Sequence, residues 1–166
     1  MKGAICPIGL LLLASAIPPP SAWSAEPDSR RLRGQETLEK ITGSEGRRVV
    51  DSLRDISPEL GDWIVDFSYG DVFSRPGISL CTRELTTISA LTALGDARPQ
   101  LKVHIEGALN VGCSPNEVVE VIIQQAVYAG FPRALNGISA AREVFEKKGV
   151  RTASLEPEAA GETVEP

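Results

Sequence analysis

CTRELTTISALTALGDARPQLKVHIEGALNVGC, residues 81–113, decides the fold. Leu85, Ile88, Leu91 and Leu94 fit the buried stripe of a helix running from about Ser79 to Leu94. Gly95 ends it. A second helix opens near Arg98-Pro99 and runs to Val111, with Leu101, His104, Ile105, Ala108 and Leu109 on one face. Gly112 suits its C-terminal cap. Two consecutive helices on so short a connection are expected to pack as antiparallel neighbours. Glu84 then lies roughly three turns before the end of the first helix, and His104 about one and a half turns into the second. Antiparallel packing puts them at comparable heights. A carboxylate beside an imidazole in a poorly hydrated pocket makes an acid/base pair, each tuning the other. The competing reading is a satisfied core histidine and an unrelated surface glutamate.

Outward from this pair the chain keeps a helical period. Ser114-Pro115-Asn116-Glu117 is a capping box with proline at the first helical position. The helix behind it, VVEVIIQQAVYA, is apolar almost all round, as central or interface helices are. Gly130-Phe131-Pro132 turns the chain. A last helix, from about Arg133 to Lys148, points Leu135, Ile138, Ala141, Val144 and Phe145 inward. Upstream, Ser57-Pro58 opens a helix with a stripe of Leu60, Ile64, Phe67 and Val72, broken at Arg75-Pro76-Gly77. Thr37 to about Arg54 forms a further helix, weakened in the middle by Gly43 and Gly46. No segment alternates with period two for long enough to predict a strand. The expectation is an all-α bundle of about six helices.

The bundle occupies residues 35–148. Residues 1–25 read as a signal peptide: Met1-Lys2, an apolar core from Ile5 to Ile17 too short to span a membrane, then small residues at a cleavage point after Ser24 or Ala25. An uncleaved anchor is the competing reading. Residues 26–34 are polar and read as a loose linker. Residues 149–166 are acidic, poor in apolar residues and read as a disordered tail. The expected product is periplasmic or secreted, without stable membrane insertion after cleavage. A formal charge of −5 and no basic stripe argue against nucleic acid as a partner.

Cleavage removes Cys6 and leaves Cys81 and Cys113, an even pair that could bridge in an oxidising compartment. Cys81, near a helix start and beside Arg83, is equally a candidate reactive thiol. Cys113 is a less committed redox candidate. One histidine and no cysteine cluster leave no metal-ligand spacing. Arg83 and Arg75 are candidates to hold a substrate carboxylate, since guanidinium pairs with carboxylates in a bidentate way. Tyr128, at a helix end, could offer a hydroxyl to a pocket.

The segment from about Trp63 to Phe145 resembles the carboxymuconolactone decarboxylase family. The resemblance is carried by FSYGDVFSRPGISLCTREL (67–85) and HIEGALNVGCSPNEVVEVIIQQAVYAGFPRALN (104–136), in which GCSPNEVVEV is followed by Y-x-G-x-P. It implies an all-α fold of the alkylhydroperoxidase D type and an obligate homo-oligomer, a trimer or hexamer. One branch of the family carries C-x-x-C just before a histidine. The matching DARPQLKVH has no cysteine, and the RPG, TRE, GALN and Y-x-G-x-P elements look like the decarboxylase branch. Glu84 and His104 match the family's acidic and histidine positions. The resemblance thus implies cofactor-free decarboxylation of a small carboxylated lactone or similar organic acid, with catalysis by His104 and Glu84. Two other functions stay open: a thiol-dependent peroxidase or disulfide reductase using Cys81 with Glu84 and His104, and a non-catalytic oligomer that binds a small acid. The apparent export departs from the family's decarboxylase, whose substrate is made inside the cell.

Overall fold

The computed structural model describes residues 27–151, in seven α-helices and one π-helical segment with no strand among them. In order they are α1 (Pro27–Thr42), α2 (Ser44–Asp51), α3 (Pro58–Trp63) running straight into the π-helical segment (Ile64–Phe73), then α4 (Leu80–Leu94), α5 (Arg98–Asn110), α6 (Pro115–Tyr128) and α7 (Phe131–Lys148). The fold is all-α, as expected. The signal-peptide reading falls on residues outside those described, and so does the acidic tail beyond 151.

The linker reading of 26–34 is corrected, because α1 is helical from Pro27. Its polar residues are what dock it. Arg30 makes a forked hydrogen bond to Asp71, with Nε 2.9 Å from each carboxylate oxygen. Arg31 reaches Asp62 at 2.6 Å and Asp66 at 3.1 Å, and Arg33 Nε donates to the Gly70 carbonyl at 2.8 Å. Composition alone reads such a stretch as solvated, because the acids that hold it lie more than thirty residues away. The helix expected over Thr37–Arg54 is likewise two helices. Gly43, at φ 57°, breaks it in a backbone conformation that side chains disfavour.

Alpha1 and the π-helical segment cross almost backbone to backbone. A Cβ added at Gly34 would meet the Val65 carbonyl oxygen at 2.1 Å, and one at Gly70 would meet the Arg30 carbonyl oxygen at 2.9 Å. Gly34→Ala is therefore expected to destabilise the domain by about 2–3 kcal/mol, because backbone cannot yield as a side-chain tip does. Urea unfolding of the variant against the parent checks this.

Two apolar clusters fill the interior. The larger joins α4, α5, α6 and α7 around Ile88, Ile105, Val118, Ile122 and Val144. The smaller joins α1 to the π-helical segment through Leu38, Ile41, Val65 and Tyr69. The stripes read from sequence sit out of phase in three places. On α4 the buried face is Glu84, Ile88 and Thr92, while Leu94 is 61% exposed. Three-residue steps drift by about 60° around a 3.6-residue helix, so the leucine series leaves the core before it ends. Leu60 in α3 is exposed, and past α3 Val65, Tyr69 and Gly70 are buried while Phe67 and Val72 are exposed, because wider π winding resets the phase there. Leu135 also faces outward, at 66% exposed.

The short link between α4 and α5 turns at Gly95, whose φ of 86° suits the end of α4. A disulfide, Cys81–Cys113, with Cα atoms 5.3 Å apart, ties the first turn of α4 to the loop between α5 and α6. The next residue, Ser114, caps α6 in the predicted capping box with Glu117.

Carboxylates seam α5 to α7. Glu143 accepts from Lys102 at 3.0 Å and from Arg98, and these cations hold its carboxyl below the usual range. Burial pushes the Glu106 carboxyl up, but hydrogen bonds from Lys148 and Lys147 outweigh it and the net shift is downward. A carboxyl depressed in the folded state contributes stability above its unfolded pKa and loses it as pH falls through the folded value. Stability should therefore fall between roughly pH 5 and pH 3, and the fall should be shallower in Glu106→Gln. Denaturant midpoints across that range test it.

Candidate active site

The site is built where the two clusters meet. Ser79 caps α4, its Oγ accepting from the Thr82 amide at 3.0 Å. That start sets the rotation of α4 that sends Glu84 inward, where it is fully buried. Pro99 in the first turn of α5 fixes that helix's entry. One and a half turns later His104 meets the carboxylate, with Nδ1 2.9 Å from Glu84 Oε2. The structure thus brings together the two residues that the sequence singled out.

Space for the carboxylate comes from Gly107, one turn below His104. A Cβ there would sit 2.9 Å from Ile41 Cγ2 and 3.1 Å from Glu84 Oε2. Gly107→Ala should push the carboxylate off the imidazole, costing about 1–3 kcal/mol of stability together with activity. Unfolding and turnover measured on the same preparation test both parts.

The His104 side chain is 18% exposed and lines a cavity of about 340 Å³. With Nδ1 committed to Glu84, Nε2 is the ring nitrogen left to act on a ligand. The remaining wall is mostly apolar, from Leu38, Val49, Ile64, Phe73 and Val103, and Tyr69 and Ser68 contribute hydroxyl groups. Phe73 stacks on His104 with ring centroids 6.3 Å apart, and Tyr69 stacks on Phe73 at 5.1 Å. Burial, and after it the Glu84 charge, pushes the Tyr69 phenol well above its ordinary value. The other carboxylate oxygen, Glu84 Oε1, is buried without a hydrogen-bond partner among the described residues. Such an atom is costly unless function retains it.

Sequence reasoning missed Tyr69 and Phe73. Both lie in FSYGDVF, but a regular helical period placed Phe67 and Val72 inward instead. The segment is π-wound, as its close shows: the Ser74 amide donates to the Tyr69 carbonyl, five residues back, at 3.2 Å. Widened turns of this kind recur at functional sites.

The other candidates fall outside the cavity. Arg83 turns its Nη2 to the Arg75 carbonyl at 2.8 Å, and neither arginine lines the wall. Arg83 leaves α4 about 100° from Glu84, as adjacent helical residues do, and is half-buried there, with its Nε enclosed and unpartnered among the described residues. Tyr128 is 79% exposed at the end of α6 and is no part of the wall. Cys81 and Cys113 are bonded to each other and also lie outside it. No arginine or lysine contributes to the described lining, and nearby Arg98 and Lys102 are held by Glu143. Among the described residues no cluster of three or more His, Cys, Asp or Glu could hold a metal ion.

The model of the carboxymuconolactone decarboxylase family matches residues 58–143, which span the π-helical segment and both catalytic candidates. The chain is 32% identical to the 4-carboxymuconolactone decarboxylase of Acinetobacter baylyi over 124 residues, covering 74% of this chain and 92% of that protein. It is 30% identical over 114 residues to the nitrosuccinic acid decarboxylase of Metarhizium robertsii, covering 66% of this chain and 78% of that one. A 15.0 kDa protein of Paracoccus denitrificans without an assigned role is 29% identical over 98 residues, 58% of this chain and 73% of its own length. Two of these relatives are decarboxylases by name, which supports a decarboxylase-like function for this chain.

Proposed function

Starting from a chain that belongs to the carboxymuconolactone decarboxylase family, we propose that its cavity carries out cofactor-free decarboxylation of a small carboxylated lactone or a similar organic acid. The observation that carries the reading is the Glu84–His104 hydrogen bond at the cavity wall. When a carboxylate leaves as CO2, its bonding electrons pass into a conjugated carbonyl, so the substrate is its own electron sink. What remains for the protein is to hold the acid, stabilise the enolate and protonate carbon. His104 Nε2 is the proton donor, and Glu84 fixes the ring and balances the charge of the imidazolium. The carboxylate is not assigned to Arg83 or Arg75, since neither reaches the wall.

The test is CO2 release from carboxylated unsaturated lactones, 4-carboxymuconolactone among them, run in D2O. One deuteron per CO2 released should appear on a carbon of the resulting dienolate, either α to the lactone carbonyl or at the carbon that lost CO2. Release at the uncatalysed rate across such acids would overturn the reading. A thiol-dependent route has less support, because both sulfurs are in the bridge and outside the cavity.

The same reading includes export and self-assembly. The bridge suits an oxidising compartment. Among the described residues no helix is long and apolar enough to cross a membrane. Ile123, Val127, Tyr128, Phe131 and Leu135 present an exposed apolar face at the end of α6 and the start of α7, which further copies of the chain would cover. Sedimentation should give a trimer or hexamer, and a monomer at micromolar concentration would refute the assembly.

A further inference from the structure

Tyr69 is 6% exposed and lies on the cavity wall, no hydrogen bond of its hydroxyl is found among the described residues, and that oxygen is not one of the fully enclosed polar atoms without a partner, so it keeps some accessible surface. Buried tyrosines ordinarily find a partner for that group, since an unmet polar atom is costly. Its neighbours on the wall are not in the same position. The Thr42 hydroxyl is used internally, donating to the Leu38 carbonyl at 2.7 Å, and Gln100 is exposed. Ser68 is half-buried. Tyr69 is thus the largely buried residue of the wall whose hydroxyl no group of the described protein engages. It is also rigid, stacked on Phe73, which in turn stacks on His104. These three rings order the wall from the proton donor to the phenol.

Resting on the decarboxylase reading above, we infer that Tyr69 is a further catalytic residue, whose hydroxyl donates a hydrogen bond to the substrate carbonyl oxygen that becomes the enolate oxygen. Such a donor would stabilise the negative charge that develops on that oxygen. The bond between the substrate carbon and its carboxylate breaks, CO2 leaves, and the pair moves through the conjugated system onto the carbonyl oxygen. His104 then delivers its proton to carbon and regains one from water. Tyr69 keeps its proton throughout and offers only the hydrogen bond. The high phenol pKa set by burial and by Glu84 keeps it in the donating form. The apolar surroundings strengthen a preorganised donor aimed at developing charge. The ligand class follows: a carbonyl compound, lactone or keto acid, that passes through an enolate.

Tyr69→Phe keeps the ring stack and removes only the donor. Turnover on the best carboxylated lactone should fall about 10²–10³-fold in kcat with little change in KM. Binding supplies an independent readout, with tetronic acid as the probe, because its conjugate base is the enolate of a five-membered lactone. Calorimetry should show the parent binding tetronate about 10- to 100-fold more tightly than Tyr69→Phe, with neutral γ-butyrolactone unaffected by the substitution. Thermal unfolding of both proteins verifies that the fold is kept. Unchanged kcat in Tyr69→Phe while His104→Gln is inactive overturns the Tyr69 assignment and leaves the decarboxylase reading standing. Equal tetronate affinity in parent and variant, or none in the parent, overturns it as well. A parent that binds tetronate through Tyr69 yet turns over no carboxylated acid upholds the enolate site and defeats the decarboxylase reading instead.

Discussion

His104→Gln should lower kcat by about 10²–10⁴-fold, the range that a positioned proton donor supplies. Glutamine keeps a polar side chain against the fully buried Glu84 and so leaves the fold intact. It has no proton to give at carbon. KM should change little on the proposed reading, in which the mostly apolar wall would hold the body of the substrate and the imidazole would act only on the reacting carbon. A loss confined to KM would mean that His104 binds and does not catalyse. Glu84→Gln provides the companion measurement. It keeps a hydrogen-bonding partner for Nδ1 but removes the negative charge that balances an imidazolium. Its defect should therefore lie in kcat as well, and be smaller than that of His104→Gln. Equal activity of Glu84→Gln and parent would reduce the glutamate to a packing role.

Removal of the Cys81–Cys113 bridge in a Cys81→Ser/Cys113→Ser variant should cost about 3–4 kcal/mol, the loop-closure entropy expected for its sequence separation of 32 residues. That is a large part of the 5–15 kcal/mol that typically separates folded from unfolded domains. The bridge encloses α4, α5 and the turn between them, and so the whole Glu84–His104 pair. The double variant should unfold at markedly lower urea than the oxidised parent, and a reducing agent should bring the parent to the variant's midpoint. Below its unfolding transition the variant should keep its turnover, because neither sulfur lines the cavity. A folded variant with no residual activity would instead favour thiol chemistry at Cys81.

The helices of the second half could be read from local chemistry alone. Ser114, Pro115 and Glu117 form a capping box that closes within a few residues, and Gly95 ends α4 by its own φ. Such contacts need no distant partner, so pattern and structure agree there. The apposition of Glu84 and His104 was legible for a similar reason: two helices on a short connection have little choice but to lie side by side. Family resemblance rested on the same residues.

Packing across the chain decided the rest. Arg30, Arg31 and Arg33 read as solvated charge until the acids at 62, 66 and 71 are brought against them. Tyr69 and Phe73 reach the cavity because the π winding after α3 changes the phase, and Gly34 lets α1 pass close to the Val65 backbone in that segment. Arg83 sits beside Glu84 in sequence yet turns away from the cavity, because neighbouring residues of a helix face different directions. Helix identity, caps and the pairing of adjacent helices follow from short-range interactions that a sequence displays directly. The phase of a buried face and the members of a shared cavity depend on contacts between residues tens of positions apart, and only the folded chain settles them.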